Sequence, residues 1–178
     1  MKKIKKIISK KIYLNLLRED DVSEAYLNWL HDREINQFLE VRLSPPKDLK
    51  ELKEFVRQTI MNDSKYLFGI YDNDKNIHIG NISMEVNFYH RHGSIGLLIG
   101  NKNFWGRGIA TEAIKLMMSF AYEELKLLKL TAGSYGSNIA SIKAFEKVGF
   151  KREATMKNYF KYGTSRQDKV ILTSNYEE

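Results

Sequence analysis

The chain has 178 residues, of which 43% are hydrophobic and 12% aromatic, enough for a core of its own, and it reads as one domain over 1–178. It has no cysteine, which excludes disulfides, thiolate metal sites and a cysteine nucleophile and fits a reducing, cytoplasmic setting. The net charge of +7 comes almost wholly from lysines within residues 1–11, and no apolar run approaches the roughly 18 residues that span a membrane.

The basic stretch 1–11 reads as a solvated, frayed end, with attraction to anions as the functional alternative. Residues 12–17 read as a strand and 20–30 as a helix with Asp20 or Asp21 as its cap. Ser44-Pro45-Pro46 breaks the chain, and a second helix is expected from about 48 to 61. Strands follow at 65–71, 77–88 and 92–100, with Asp72-Asn73-Asp74 as a hairpin turn. A helix over 108–124 carries the apolar stripe Ile109, Ala113, Leu116, Met117, Phe120 and Ala121. A strand at 128–134, a helix at 138–148 and a terminal pair at 151–160 and 167–174 complete an α+β layout with a mostly antiparallel sheet flanked by helices.

The most informative stretch is Trp105-Gly106-Arg107-Gly108-Ile109-Ala110-Thr111, which leaves a β-rich run and enters an amphipathic one. Strand, glycine turn and helix together aim backbone N–H groups at a phosphate. Position 111 is Thr where a dinucleotide fingerprint needs its third glycine, and the Gly-Lys-Ser/Thr of a P-loop is absent. A plain turn before a helix also explains Gly-x-Gly. The second element, Asn138-Ile139-Ala140-Ser141 continuing to Phe145 and Gly149-Phe150, follows another apolar strand.

Together the two elements resemble the GNAT superfamily of acyl-CoA-dependent N-acyltransferases, in particular its branch like the ribosomal-protein N-terminal acetyltransferases. The likeness runs from Ile12 to about Tyr176, with Gly108 and Ala110 at the two small positions of the pyrophosphate loop. A softer likeness, at residues 26–32 and Glu40-Val41-Arg42, is to relatives that acetylate amino sugars. The resemblance implies a GNAT-like sheet of six or seven strands and acetyl-CoA as co-substrate, and no metal is expected. It implies that the pantetheine arm lies along Leu98, Ile99 and Gly100, with a backbone N–H there polarising the thioester carbonyl. It gives the pyrophosphate to the N–H groups of Arg107 to Thr111, with Gly106 in the same cofactor loop and Trp105 either packed over it or a core aromatic; Asn138 and Ser141 face the pantetheine, Phe145 belongs to the cofactor set, and Lys143 or Lys147 lies near the adenosine phosphates.

Relatives often place an acidic Tyr at the position of Phe145, which cannot donate a proton, and a Glu base at the position of Ser94. A thiolate leaves without much help, because a thiol's pKa is about 8.5. Glu85, flanked by Met84 and Val86, is the first candidate base, on the expectation that partial burial raises its pKa; His90 and His92 are second candidates and Tyr135 a substitute acid. The acceptor pocket is expected to use Trp29, Glu40 and Arg42 with His31 and Asp32, closed by Tyr159, Phe160 and Tyr162. The leading expectation is an N-acetyltransferase acting on a primary amine of a small or nucleotide-linked acceptor such as an amino sugar. The alternatives are a ribosomal-protein-type α-amine acetyltransferase, a non-catalytic acyl-CoA-binding domain, and RNA binding through the basic end. Homodimerisation through an edge strand is a further expectation; nucleic acid and membrane partners are not expected.

Overall fold

The structure is a computed structural model and describes residues 4–176. Its strands are β1 (Ile7–Ile8), β2 (Ile12–Leu16), β3 (Lys65–Asp72), β4 (His78–Asn87), β5 (His92–Ile99), β6 (Lys129–Tyr135), β7 (Lys151–Tyr162) and β8 (Ser165–Asn175). Its helices are α1 (Glu24–His31), α2 (Arg33–Asn36), α3 (Leu49–Met61), α4 (Ile109–Ser119) and α5 (Ile139–Glu146). The strands form one mixed sheet in the order β1-β2-β3-β4-β5-β6-β8-β7, antiparallel throughout except for β5 beside β6. That parallel pair needs a crossover, and α4 supplies it.

Among the described residues the sheet has eight strands rather than six or seven, because Ile7 and Ile8 fold back onto Leu14 and Tyr13. The described part of the lysine-rich end is therefore paired rather than frayed, and residues 1–3 lie outside the described residues. Lysines on such an edge discourage further strand addition. At the opposite edge β7 is long and mostly exposed.

Side-chain alternation divides the core into two layers. On one face Ile12, Leu14, Phe68, Ile70, Ile82 and Met84 pack against α4 and α5. On the other, Leu17 and Leu67 pack under α1 and α3, which contribute Tyr26, Trp29, Leu30, Leu52 and Val56. The predicted helix at 20–30 begins only at Glu24, because Ser23 is the cap: its Oγ accepts the Tyr26 N–H at 3.3 Å. Residues Glu19–Asp21 form a separate 3₁₀ turn. The predicted helix over 108–124 is α-helical to Ser119 and then widens into a π turn, Phe120–Glu124, whose Phe120 ring meets Tyr66 and Phe68 edge-on at 5.4 Å.

Candidate active site

The sheet opens between β5 and β6. Their ladder holds only His92, Gly93 and Ser94 against Lys129, Leu130 and Thr131. Beyond that point β5 stays paired with β4 up to Ile99, and β6 stays paired with β8 up to Tyr135. Each half of the sheet keeps its own strand, so the two part as a V. Successive residues of a strand direct their N–H and C=O groups to alternate sides. Gly100 donates its N–H to Ile79 O at 3.0 Å, on the β4 side, so Ile99 faces the gap. Its carbonyl accepts the Trp105 indole N–H at 2.8 Å. By the same alternation Leu97 and Ile99 present backbone groups to the gap, whereas Leu98 presents its own to β4. Of the three residues expected along the arm, only Ile99 turns its backbone groups to the gap, with Leu97 beside it; those of Leu98 and Gly100 are turned to β4.

The loop after β5 is built for close approach. Gly106 (φ 73°) and Gly108 (φ 80°) both occupy the left-handed region, and a Cβ on either would meet no protein atom within 4 Å. Gly108 is the N-cap of α4 and has no side chain to bond the first turn. The first backbone bond there is Glu112 N–H to Gly108 O at 3.1 Å. The N–H groups of Ile109, Ala110 and Thr111 therefore have no acceptor among the described residues, and they form the positive end of the helix dipole. Arg107 lies over the Phe104 ring, 5.5 Å from its centroid, and Trp105 is 40% exposed above the loop.

Across the gap, Asn138 caps α5, with Oδ1 accepting the Ser141 N–H at 3.2 Å. Its amide nitrogen has no hydrogen bond among the described residues. Ser141 is half-buried one turn on. Phe145 does not face the gap: it is buried in the larger core, edge-on to Phe150 at 5.0 Å, because it continues the inward stripe of Ile142.

Trp29 also departs from expectation. It continues the buried stripe of α1 with Tyr26 and Leu30, and its indole lies against Gly100, where a Cβ would come within 1.9 Å of Cδ2. It is a wedge beneath the end of β5, not a pocket wall. Asp32 caps α2 and pairs with Lys102 at 2.7 Å; Lys102 also reaches Glu34 at 2.6 Å, tying the loop to the α1–α2 corner. That contact holds the Asp32 carboxyl below its ordinary range.

Tyr135, the last residue of β6, forms the other lip of the V. It is buried, stacks on Phe160 at 3.8 Å and donates its hydroxyl to Glu40 Oε1 at 2.9 Å. Burial, then the Glu40 hydrogen bond, push its phenol pKa up. Arg42 lies 5.2 Å from the Tyr135 ring centroid and 3.7 Å from Glu40, while donating to the carbonyls of Leu39 and Lys161. Glu40, Arg42, Tyr135, Tyr159 and Phe160 line a cavity of ≈ 570 Å³. A neighbouring cavity of ≈ 820 Å³ shares Arg42 and adds His31, Glu34 and Tyr162. The predicted acceptor residues are thus brought together, apart from Trp29 and Asp32.

Comparison with known proteins decides the family. The model described as Acetyltransferase (GNAT) domain matches residues 11–151. This chain belongs to the GNAT acetyltransferases. It is an acyl-CoA-dependent N-acetyltransferase. It is 30% identical over 128 residues to the protein named "Probable N-acetyltransferase YjcK" of Bacillus subtilis (strain 168), covering 69% of this chain and 68% of that one. Its fold is similar to spermidine N-acetyltransferase from Vibrio cholerae in complex with CoA and spermine, at TM-score 0.82 and 21% identity over 92% of this chain and 95% of the other. It is likewise similar to RimL, a ribosomal L7/L12 α-N-protein acetyltransferase in complex with coenzyme A, at TM-score 0.86 and 17% identity over 96% and 98%.

In this GNAT protein the candidate base is not buried, against expectation. Glu85 is exposed, because it alternates with the buried Met84 and Val86, and its cross-strand neighbours are Lys65 and Ser94. It sits level with the point where the β5–β6 ladder ends. His90 and His92 lie at the turn end of the β4–β5 hairpin, exposed and with parallel rings 6.2 Å apart, at the end of the ladder away from the V. No group of three or more His, Asp or Glu among the described residues could hold a metal ion, and no described helix is long and apolar enough to cross a membrane.

Proposed function

We propose that this enzyme transfers the acetyl group of acetyl-CoA, in the cytoplasm, to the primary amine of a small acceptor such as an amino sugar, free or nucleotide-linked, by direct attack. The observation that carries the reading is the ≈ 570 Å³ cavity, in which the Glu40 carboxylate touches both Arg42 and the hydroxyl of Tyr135, whose ring stacks on Phe160. Tyr135 belongs both to that cavity and to the lip of the V, so an amine held at Glu40 lies beside the gap. Aromatic faces suit a sugar ring or a cation, and a carboxylate suits an ammonium.

The residues would divide the work as follows. The free N–H groups at the start of α4 hold the diphosphate, and the open space over Gly106 and Gly108 admits it. The N–H groups of Leu97 and Ile99 align the arm and polarise its carbonyl, while the Asn138 amide fixes the arm from the α5 side. Acetyl-CoA, when bound, supplies an activated thioester. Glu40 orients the amine, Tyr135 keeps its proton for the leaving sulfur, and Glu85 passes the amine's proton to water.

Release of free thiol from acetyl-CoA tests this, with an amino sugar, a nucleotide-linked amino sugar, a polyamine and a short peptide with a free α-amine as acceptors. Saturable turnover of an amino sugar is expected, with kcat/KM falling by about tenfold or more in Glu40→Gln. Acetylation of the peptide alone would replace this reading with a protein α-amine acceptor. Binding of acetyl-CoA with no turnover of any amine would leave only a binding domain.

A further inference from the structure

The cofactor loop has a neighbour that its sequence motif does not contain. The turn between β1 and β2, Ser9 to Lys11, lies against the start of α4. Glu112, in the first helical turn, accepts the Ser9 hydroxyl at 2.5 Å and the Lys11 backbone N–H at 3.2 Å on the same oxygen, Oε1. Asn73 secures the turn from the other side, with Nδ2 on Ser9 O at 2.8 Å and its N–H on Lys11 O at 3.0 Å. The turn is thereby held from two elements, and the Lys11 ammonium comes to rest 3.3 Å from Arg107 O, on the glycine loop itself. Neither the Lys11 ammonium nor the Arg107 guanidinium has a carboxylate partner among the described residues.

A carboxylate in the first turn of a phosphate-binding helix opposes its ligand, since the two charges repel within a few ångströms. Glu112 commits its Oε1 to the N-terminal turn, and what it secures there is a cation beside the loop. We infer that Lys11 is a phosphate-binding residue for the nucleotide end of acetyl-CoA, and that Glu112 is its positioning residue. The inference rests on the acetyl-CoA reading of the Gly106–Gly108 loop. It also gives part of the N-terminal lysine excess a use: the phosphates of the cofactor are met by the helix from one side and by the hairpin turn from the other.

Isothermal titration of the whole chain with acetyl-CoA tests it. Lys11→Gln should raise Kd by about three- to tenfold, the range for one partly solvated charge-assisted contact. Lys11→Arg should bring Kd back to within about twofold of wild type, because the charge is restored. Lys50→Gln, on α3 across the sheet, should change nothing. Glu112→Ala gives the sharper reading. If Glu112 had no positioning role, deleting its charge would tighten binding of an anion; the inference requires weaker binding, with no added loss in the Lys11→Gln background. Glu112→Gln keeps an acceptor oxygen for the turn and should bind at least as well as wild type. A Lys11→Gln protein that binds like wild type, a Lys11→Arg protein as weak as Lys11→Gln, or tighter binding by Glu112→Ala would each overturn the inference. Failure of the wild type to bind acetyl-CoA would instead overturn the reading of the loop.

Discussion

Gly100→Ala is the substitution that probes the architecture of the site most directly. Gly100 closes β5, and a Cβ built there would lie 1.9 Å from Trp29 Cδ2, 2.2 Å from Cε3 and 2.5 Å from Cε2. Carbon atoms pack at about 3.5 Å, so the indole or the strand must withdraw by about 1.6 Å. The indole has little room: Tyr26 and His78 hold it at centroid distances of 5.9 and 5.0 Å. The strand end is held by the Gly100 N–H bond to Ile79 O. Overpacking of this kind costs about 3 kcal/mol. For a chain of this length that is a fall in Tm of roughly 6–12 °C. A double-mutant cycle by urea denaturation isolates the contact. Trp29→Ala alone should cost about 3–5 kcal/mol, and adding Gly100→Ala to it should cost less than about 0.5 kcal/mol, leaving a coupling of about 3 kcal/mol. Equal costs of Gly100→Ala in both backgrounds, or a cost below about 0.5 kcal/mol in the wild type, would show that Trp29 does not brace the strand.

Gly108→Ala places a side chain at φ 80°, strained but free of clashes, so it should lose about 1 kcal/mol of stability while raising the acetyl-CoA Kd by about tenfold or more; unchanged affinity would remove the loop from the cofactor site. Tyr135→Phe keeps the stack on Phe160 and deletes the hydrogen bond to Glu40, so stability should fall by only about 1 kcal/mol while kcat falls at least about tenfold; a kcat equal to wild type would end the acid role proposed for Tyr135. His78 predicts a pH dependence of stability. Burial pushes its imidazole below the ordinary 6.5, so the unfolded chain takes up the proton first: stability is complete above about pH 6.5 and is lost as the pH falls towards the folded value. Urea midpoints between pH 7.5 and 5 should fall more steeply for wild type than for His78→Phe, and parallel slopes would contradict a neutral buried histidine.

The parts of the site legible in the sequence are those made by neighbours in the chain. The Gly106–Gly108 loop, the α4 stripe and the Asn138 cap each follow from short-range spacing, and each stands where that spacing put it. Glu40, Arg42, Tyr159 and Phe160 were grouped from residue type and likeness, and they do line one cavity. Some signals were present and outweighed. Tyr26, Trp29 and Leu30 at helical spacing mark a buried stripe, as do Ile142 and Phe145, and Glu85 alternates with two buried residues, which marks it as exposed.

The order of the main elements and the glycine loop were legible in the sequence, because glycine conformation, capping and hydrophobic period act over a few residues, and the family was legible as a likeness of motifs. Only the tertiary structure decided which backbone groups face the gap, because that depends on where β5 parts from β6 and therefore on the partners each strand holds on its other side. It alone brought Tyr135 to Glu40 across 95 positions of sequence and Ser9 to Glu112 across 103. Such contacts are set by the packing of the whole sheet, and no local pattern records them.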